Sequence, residues 1–360
     1  MTERATPLPL QGIRVLDVAH VIAGPHLAAR LGDFGADVVK VEHPRGGDTS
    51  RQLGWKVGGQ ALWSKHLGRN KRSVTLDLSV PGGQDLLAGL AGSADVLIEA
   101  FRPGVMEGWN LGPERLCARN PRLVYVRFSG FGQTGPYAQR PCLGTVAEAM
   151  SGFVHMNGVP GQPPLLPPVA LADEVAALFG CYAVMLALYA RDARGGSGQV
   201  VDISLVETLF NILGPLALAR DTLGVVVGPT AGGLPFSAPR GTYRTAEGRW
   251  LSLSGTAPSS ARGVLLAVGG PLLAEDERFS TGEARLANVE ELDRLIAEWV
   301  GRHRLEEALE ELRAKGVAVG PVLDAAGVMD DPHFQERGML VPMADPDLGE
   351  VRVPAVQPRL

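Results

Sequence analysis

Asp173 is the residue that the sequence isolates for chemistry. It heads the most apolar helical stretch of the chain, in VALADEVAALFGCYAVML. An aspartate in that place has an ordinary task, which is to accept hydrogen bonds from the orphan N–H groups of a helix start. Spacing alone favours that task. A carboxylate at a helix N-terminus is also held ionised by the helix dipole and by those same hydrogen bonds. Walled by apolar residues, such a group can act as a nucleophile or a base while water is kept out.

A second pattern, Gly130-Phe-Gly132-Gln-Thr-Gly135, is a literal GxGxxG directly after a strand. A dinucleotide fingerprint needs a helix that begins inside the motif, so that the pyrophosphate meets its N-terminus. Pro136 follows at once and prevents that, which makes a glycine loop over a site the better reading. The third pattern is basic. Lys65, His66, Arg69, Lys71 and Arg72 crowd SKHLGRNKRS, and Arg102 follows the strand DVLIEAF. They could hold phosphates or form a solvated loop, and the spacing does not separate the two. Hydrolase chemistry has no support, because Ser129 in RFSGF and Ser254 in SLSGT lack the GxSxG elbow. The seven His residues form neither HxxxH nor HExxH, and Cys117, Cys142 and Cys181 show no CxxC spacing. No metal site and no disulfide frame are expected.

These groups need elements to hold them. Residues 13–21, 36–42, 73–78, 95–98 and 123–128 are rich in β-branched residues and predict strands. Helical patterns at 24–34, 83–90 and 113–118 separate several of them. Strands joined by helices of this length pair in parallel, which predicts a doubly wound α/β region. Further on, the pattern predicts a buried helix over 173–191, a strand over 199–205 and a helix over 206–223. A hairpin around Glu247-Gly248 and two charged amphipathic helices at 288–302 and 304–315 follow. The expected organisation is a large α/β domain over 1–190 and a linking strand and helix over 191–225. A small α+β domain occupies 226–322, and a C-terminal segment spans 323–360.

Composition narrows the function classes. The 34 Lys and Arg against 39 Asp and Glu give a net charge of −5, so a dedicated binder of nucleic acid or of anionic membranes is not expected. The N-terminus MTERATPLPLQG has no apolar core of a signal peptide, and the longest apolar run, residues 175–190, is short for a membrane span. A cytoplasmic protein is expected.

Several stretches together resemble the family III CoA-transferases, a group that also contains the α-methylacyl-CoA racemases. They include LQGIRVLDVAHVIAGP, LGDFGADVVKVEHPRGGD, RNKRSVTLDLSVPGG, ADVLIEAFRPGVME, SGFGQTGPYAQRP, ALADEVAAL, GSGQVVDISLVETL and APRGTYRTAEGRWLSLSG. The resemblance runs in order along essentially the whole chain. It implies a Rossmann-like large domain built from both chain ends, a small domain, and two identical subunits threaded through each other. It also implies transfer of CoA from an acyl-CoA to a small carboxylic acid. On that reading Asp173 is the nucleophile, CoA is a substrate, and no prosthetic cofactor is needed. By the same resemblance Ile22, Ala23, His43, Leu76, Phe101, Arg102, Leu143 and Gly144 line the CoA cleft. Several positions depart from the family pattern, and His43 is one of them, standing where an arginine is usual. Ala100 stands where an asparagine is usual, Gly108 replaces a common arginine, and Leu143-Gly144 replaces an aromatic residue or histidine followed by an acid. Leu143 cannot transfer a proton, which argues against a racemase. A CoA-binding homologue without turnover is the remaining alternative.

Overall fold

The computed structural model describes residues 8–360, so part of the N-terminal leader reading lies outside the described residues. Six strands form the central sheet: β1 (Arg14–Asp17), β2 (Asp37–Glu42), β3 (Lys71–Thr75), β4 (Val96–Glu99), β5 (Val124–Ser129) and β6 (Val200–Ser204). All neighbours pair in parallel, in the order β3-β2-β1-β4-β5-β6. This is the doubly wound order, in which the chain reverses direction across the sheet between β1 and β4.

Parallel strands need cover on both faces, and their side chains show it. In β4, Val96 and Ile98 enter one apolar cluster while Leu97 enters the other. In β5, Val124, Val126 and Phe128 face the first cluster and Tyr125 the second. Helices α1 (Ala23–Asp33), α2 (Pro81–Ala91), α3 (Pro113–Arg119), α4 (Gly144–Met150), α5 (Leu171–Ala193) and α6 (Leu205–Asn211) supply the layers. On one face lie α1 and α5, with Leu27, Leu31, Ala176 and Val184 in the core. On the other lie α2 and α3, with Leu87 and Leu116 fully buried. The close seat of α5 depends on Gly180. A Cβ there would stand 2.9 Å from the Phe128 ring and 3.0 Å from Leu27, so nothing larger than glycine lets this helix reach the sheet.

A second apolar core lies further along the chain. Strands β7 (Arg240–Arg244), β8 (Trp250–Ser254) and β9 (Ala318–Pro321) form an antiparallel sheet. Helices α7 (Pro258–Ala274), α8 (Val289–Val300) and α9 (Leu305–Ala314) pack on it through Val264, Leu292, Ile296 and Leu309. The chain ends in a hairpin, β10 (Leu340–Asp345) and β11 (Gly349–Pro354). Lys65 reaches Asp345 at 2.9 Å and also pairs with Asp347, which fastens this hairpin to the helix Leu62–Gly68.

Several elements differ from the sequence expectation. β1 stops at Asp17 instead of running to Val21. The helix expected over 206–223 is two helices, α6 and Leu216–Leu223, parted around Gly214-Pro215. The long helix begins at Leu171 and runs 23 residues to Ala193. It is long and apolar enough to cross a membrane by length and composition, yet one face is buried against α1 and the sheet. Its other face leaves Leu178, Tyr182, Met185, Leu186 and Tyr189 largely exposed.

Candidate active site

After β1 the chain makes a tight passage, Ala19-His20-Val21-Ile22, and then enters α1. Val21 has φ 68°, a left-handed conformation that a β-branched residue adopts only under constraint. Strain of this kind gathers at functional sites. Val21 N–H donates to Asp48 Oδ1 at 3.3 Å. The ring of His20 lies 5.0 Å from that of Phe101, which follows β4. The two rings therefore meet across the reversal point of the sheet, where doubly wound proteins bind ligands. Burial pushes the His20 imidazole below its ordinary range, against the pull of Asp48, so the ring is neutral. Its Nδ1 is buried without a partner.

This passage aims the start of α1 at Asp173, whose carboxylate is favoured by the nearby Ala23 N–H. Asp173 is the third residue of α5. The cap position is Ala170, which makes no side-chain capping bond. The capping task that spacing favours is therefore not the one Asp173 performs. Its carboxyl lies among opposing influences. Burial is the largest, and the negative charge of Glu148 is next; together with Glu174 they push the group from 3.8 up to about 6, while the Ala23 N–H pulls the other way. At neutral pH the group is ionised, but it is far more basic than an exposed aspartate and hence a better nucleophile.

Gly144 opens α4 against the same carboxylate. A Cβ at this position would collide with Asp173 Oδ2 and would stand 3.9 Å from Glu148 Oε1. The absence of a side chain at 144 is thus what lets Asp173 occupy its present place. Changing Gly144→Ala is expected to displace the carboxylate and lower turnover by roughly 10–100-fold, since misplacement near 1 Å costs about that much. Steady-state kinetics with the folded variant checks this, and a large loss of substrate affinity in place of turnover would contradict it.

Ala23 and Gly144 therefore gather around Asp173, with Ile22 just before Ala23 and Leu143, 68% exposed, just before Gly144. The other expected contacts follow the C-terminal edge of the sheet. His43 follows β2, with its Nε2 3.8 Å from Asp77. Leu76 follows β3 and is tied by its N–H to the Glu42 carbonyl at 2.9 Å. Phe101 and Arg102 follow β4. Among the described residues Arg102 forms no ion pair, and Arg45, which follows β2, feels only the nearby charge of Asp77. The cluster around Lys65 differs. Lys65 is held by Asp345 and Asp347, Arg69 by Asp33 at 2.7 Å, Lys71 by Asp17 at 2.8 Å, and Arg72 by Asp37 at 2.6 Å. Those charges are spent on internal pairs.

The glycine loop over residues 130–135 adjoins the site, because Gly130 packs directly on Cys142. The amide of Gln133 and the hydroxyl of Ser129 are buried there without partners. The loop at Gly232-Gly233 is held by Arg240, whose Nη1 donates to both carbonyls, at 2.8 and 3.2 Å. Among the described residues no cluster of three His, Cys, Asp or Glu side chains could hold a metal.

The geometry presents an ionised, desolvated carboxylate facing a helix N-terminus at a sheet reversal point, and comparison with known proteins gives it a context. The model of CoA-transferase family III matches residues 10–360. The succinyl-CoA–D-citramalate CoA-transferase of Chloroflexus aurantiacus is 39% identical over 361 residues, covering 100% of this chain and 90% of that protein. The alpha subunit of a succinyl-CoA–L-malate CoA-transferase of Chloroflexus aurantiacus is 38% identical, covering 98% and 83%. A CaiB/BaiF family protein from Brucella suis superposes with a TM-score of 0.81 at 33% identity, over 97% of this chain and 96% of the other.

Proposed function

This chain belongs to CoA-transferase family III, and we propose that it carries CoA from an acyl-CoA to a carboxylic acid through covalent intermediates on Asp173. The observation that carries the reading is the Asp173 carboxylate, desolvated, near the N-terminus of α1, and set against Gly144. Its oxygen attacks the thioester carbonyl, the C–S bond breaks, and CoA leaves as a thiolate, which needs no proton at this step. The product is a mixed anhydride of Asp173 and the acyl group. Thiolate then attacks the aspartyl carbonyl, forms an aspartyl-CoA thioester and releases the donor acid. The acceptor carboxylate attacks that thioester, giving a new anhydride and freeing thiolate once more. Attack of the thiolate on the acceptor's acyl carbon releases the new acyl-CoA and restores the Asp173 carboxylate. N–H groups at the start of α1 are oriented to stabilise the oxyanions formed along the way. Both covalent intermediates hydrolyse, so the burial that raises the Asp173 carboxyl also protects the route.

The names of the two Chloroflexus relatives bring succinyl-CoA forward as donor and four- or five-carbon hydroxydicarboxylates as acceptors. CoA lies along the strand ends in this proposal, near His43, Leu76 and Phe101, with Arg102 and Arg45 toward its phosphates. The chain divides near residues 190, 226 and 322, with two separate apolar cores and the 323–360 segment tied back through Lys65. Two copies assemble. A compact monomer of 38.0 kDa exposes about 14,000 Å², whereas this chain exposes 19967 Å², and the apolar face of α5 is part of the excess.

The test is a panel of acyl-CoA donors and carboxylate acceptors, with mass spectrometry after quenching in hydroxylamine. Transfer together with a hydroxamate on Asp173 is expected. If no donor modifies Asp173 or supports transfer, the proposal fails. The pH dependence offers a further prediction. Only the carboxylate attacks, so kcat/KM should fall about tenfold per pH unit below about 6. An acid limb near pH 4 would mean that Asp173 is not the titrating group.

A further inference from the structure

Glu148 is 3% exposed and, among the described residues, has no cationic partner. It lies on α4, one turn beyond Gly144. Its Oε1 accepts from the Ala172 N–H at 3.3 Å, which is one of the orphan donors that α5 leaves unsatisfied because Ala170 offers no cap. The same oxygen lies 3.9 Å from the point where a Gly144 Cβ would stand, a point that Asp173 Oδ2 crowds from the other side. A buried acid without a cation is costly unless it has work to do. The neighbouring acid, Glu174, is handled differently: Arg30 pairs with it at 3.3 Å and His26 Nδ1 is hydrogen-bonded to it at 2.8 Å.

We propose that Glu148 is a positioning residue of the transfer reaction, which braces the first turn of α5 through Ala172 and holds its negative charge against Asp173 to make that carboxylate a stronger nucleophile. The inference rests on the proposed role of Asp173 and adds a residue to it. A more basic carboxylate shifts the first equilibrium, thioester plus carboxylate to anhydride plus thiolate, toward the anhydride. The groups that face Asp173 are few. Glu148 approaches from α4, Cys142 from the loop before it, the Ala23 N–H from α1, and Glu174 from its own helix. Of these, Glu148 is the only acid not already paired with a cation.

The experiment compares the intact protein with Glu148→Gln, which keeps an acceptor for Ala172 and removes the charge, and with Glu148→Ala, which removes both. Asp173 is titrated by carbon-13 NMR of carboxyl-labelled aspartate, its resonance assigned by loss in D173N, and the pH profile of kcat/KM is recorded alongside. In E148Q the Asp173 midpoint is expected to fall by about half a pH unit or more, with the acid limb moving to lower pH by the same amount. E148A should show that shift and, in addition, a lower unfolding temperature than E148Q. An unmoved Asp173 midpoint in E148Q overturns the inference, whatever happens to turnover. Should E148Q not fold, the unmodified protein decides. Its Asp173 carboxyl should titrate near 6, and an ordinary aspartate midpoint near 4 overturns the inference. A shifted midpoint in a protein that never transfers CoA would keep the carboxylate pair and remove the proposed function, so the two failures are distinct.

Discussion

Replacing Asp173 by Asn is expected to lower CoA transfer by about a thousandfold or more and, at neutral pH, to make the folded chain more stable. The first effect follows from removing the nucleophile, since an amide oxygen does not form the anhydride. The second follows from proton linkage. The carboxyl titrates at about 6 in the folded chain against 3.8 as its ordinary value, so the folded state holds its proton more tightly than the unfolded state does. Below pH 4 both states are protonated and the group contributes nothing. Between about 4 and 6 the unfolded chain ionises first, and stability falls as pH rises. Above 6 the cost is constant, on the order of 2–3 kcal/mol from the size of the shift. Asn has no proton to lose, so the advantage of D173N should open across that same window. Urea unfolding of both proteins at pH 4, 5, 6 and 7 measures it. Equal stability at every pH would assign Asp173 an ordinary surface role, and a less stable D173N would return it to helix capping.

Charge on the exposed face of α5 should have the second large effect. Tyr182 and Leu186 lie one turn apart on that face and are 64% and 51% exposed. In the free chain, Tyr182→Asp and Leu186→Asp touch only solvent, so each should leave the fold of one chain nearly unchanged. In an assembly of two copies, each would bury an unpaired carboxylate in an apolar contact, at a cost of several kcal/mol per site. The unsubstituted protein is expected to have twice the 38.0 kDa of one chain by light scattering. The doubly substituted protein is expected to lose that assembly or its soluble yield. A monomeric mass for the unsubstituted protein, or an unchanged dimer in the variant, would show that another surface joins the copies.

The parts of this molecule that a reader of the sequence can anticipate are those governed by local pattern. Continuous β-branched runs bounded by glycine and proline become the buried parallel strands, because such strands need apolar side chains on both faces. The parts that escape depend on distant partners. Residues 18–21 look like more strand, yet the ligand-side turn forces Val21 to positive φ. The basic cluster looks free to hold phosphate, but Asp17 takes Lys71 from 54 residues away and Asp345 takes Lys65 from 280 away. α7 is hidden because Gly269, Gly270 and Pro271 depress its helical propensity, and Gly270 departs from helical dihedrals. The break in 206–223 has a visible cause in Gly214-Pro215, as does the nearness of Glu148, which stands four residues after Gly144 and so on the same side of a helix. The missing side chain at 144 reads in isolation as a loss. Seen beside Asp173 and Glu148, it is the space in which two carboxyls meet.

The tie between Lys65 and the β10–β11 hairpin has a topological consequence. It closes the polypeptide into a ring, with 280 residues between its joined points. Two closed rings cannot become linked without breaking one of them. If the copies thread each other as the family resemblance implies, docking of the final hairpin must come after the partner has passed through, as a clasp fastened last. The order of events in assembly is then written into one lysine and two aspartates near opposite ends of the chain.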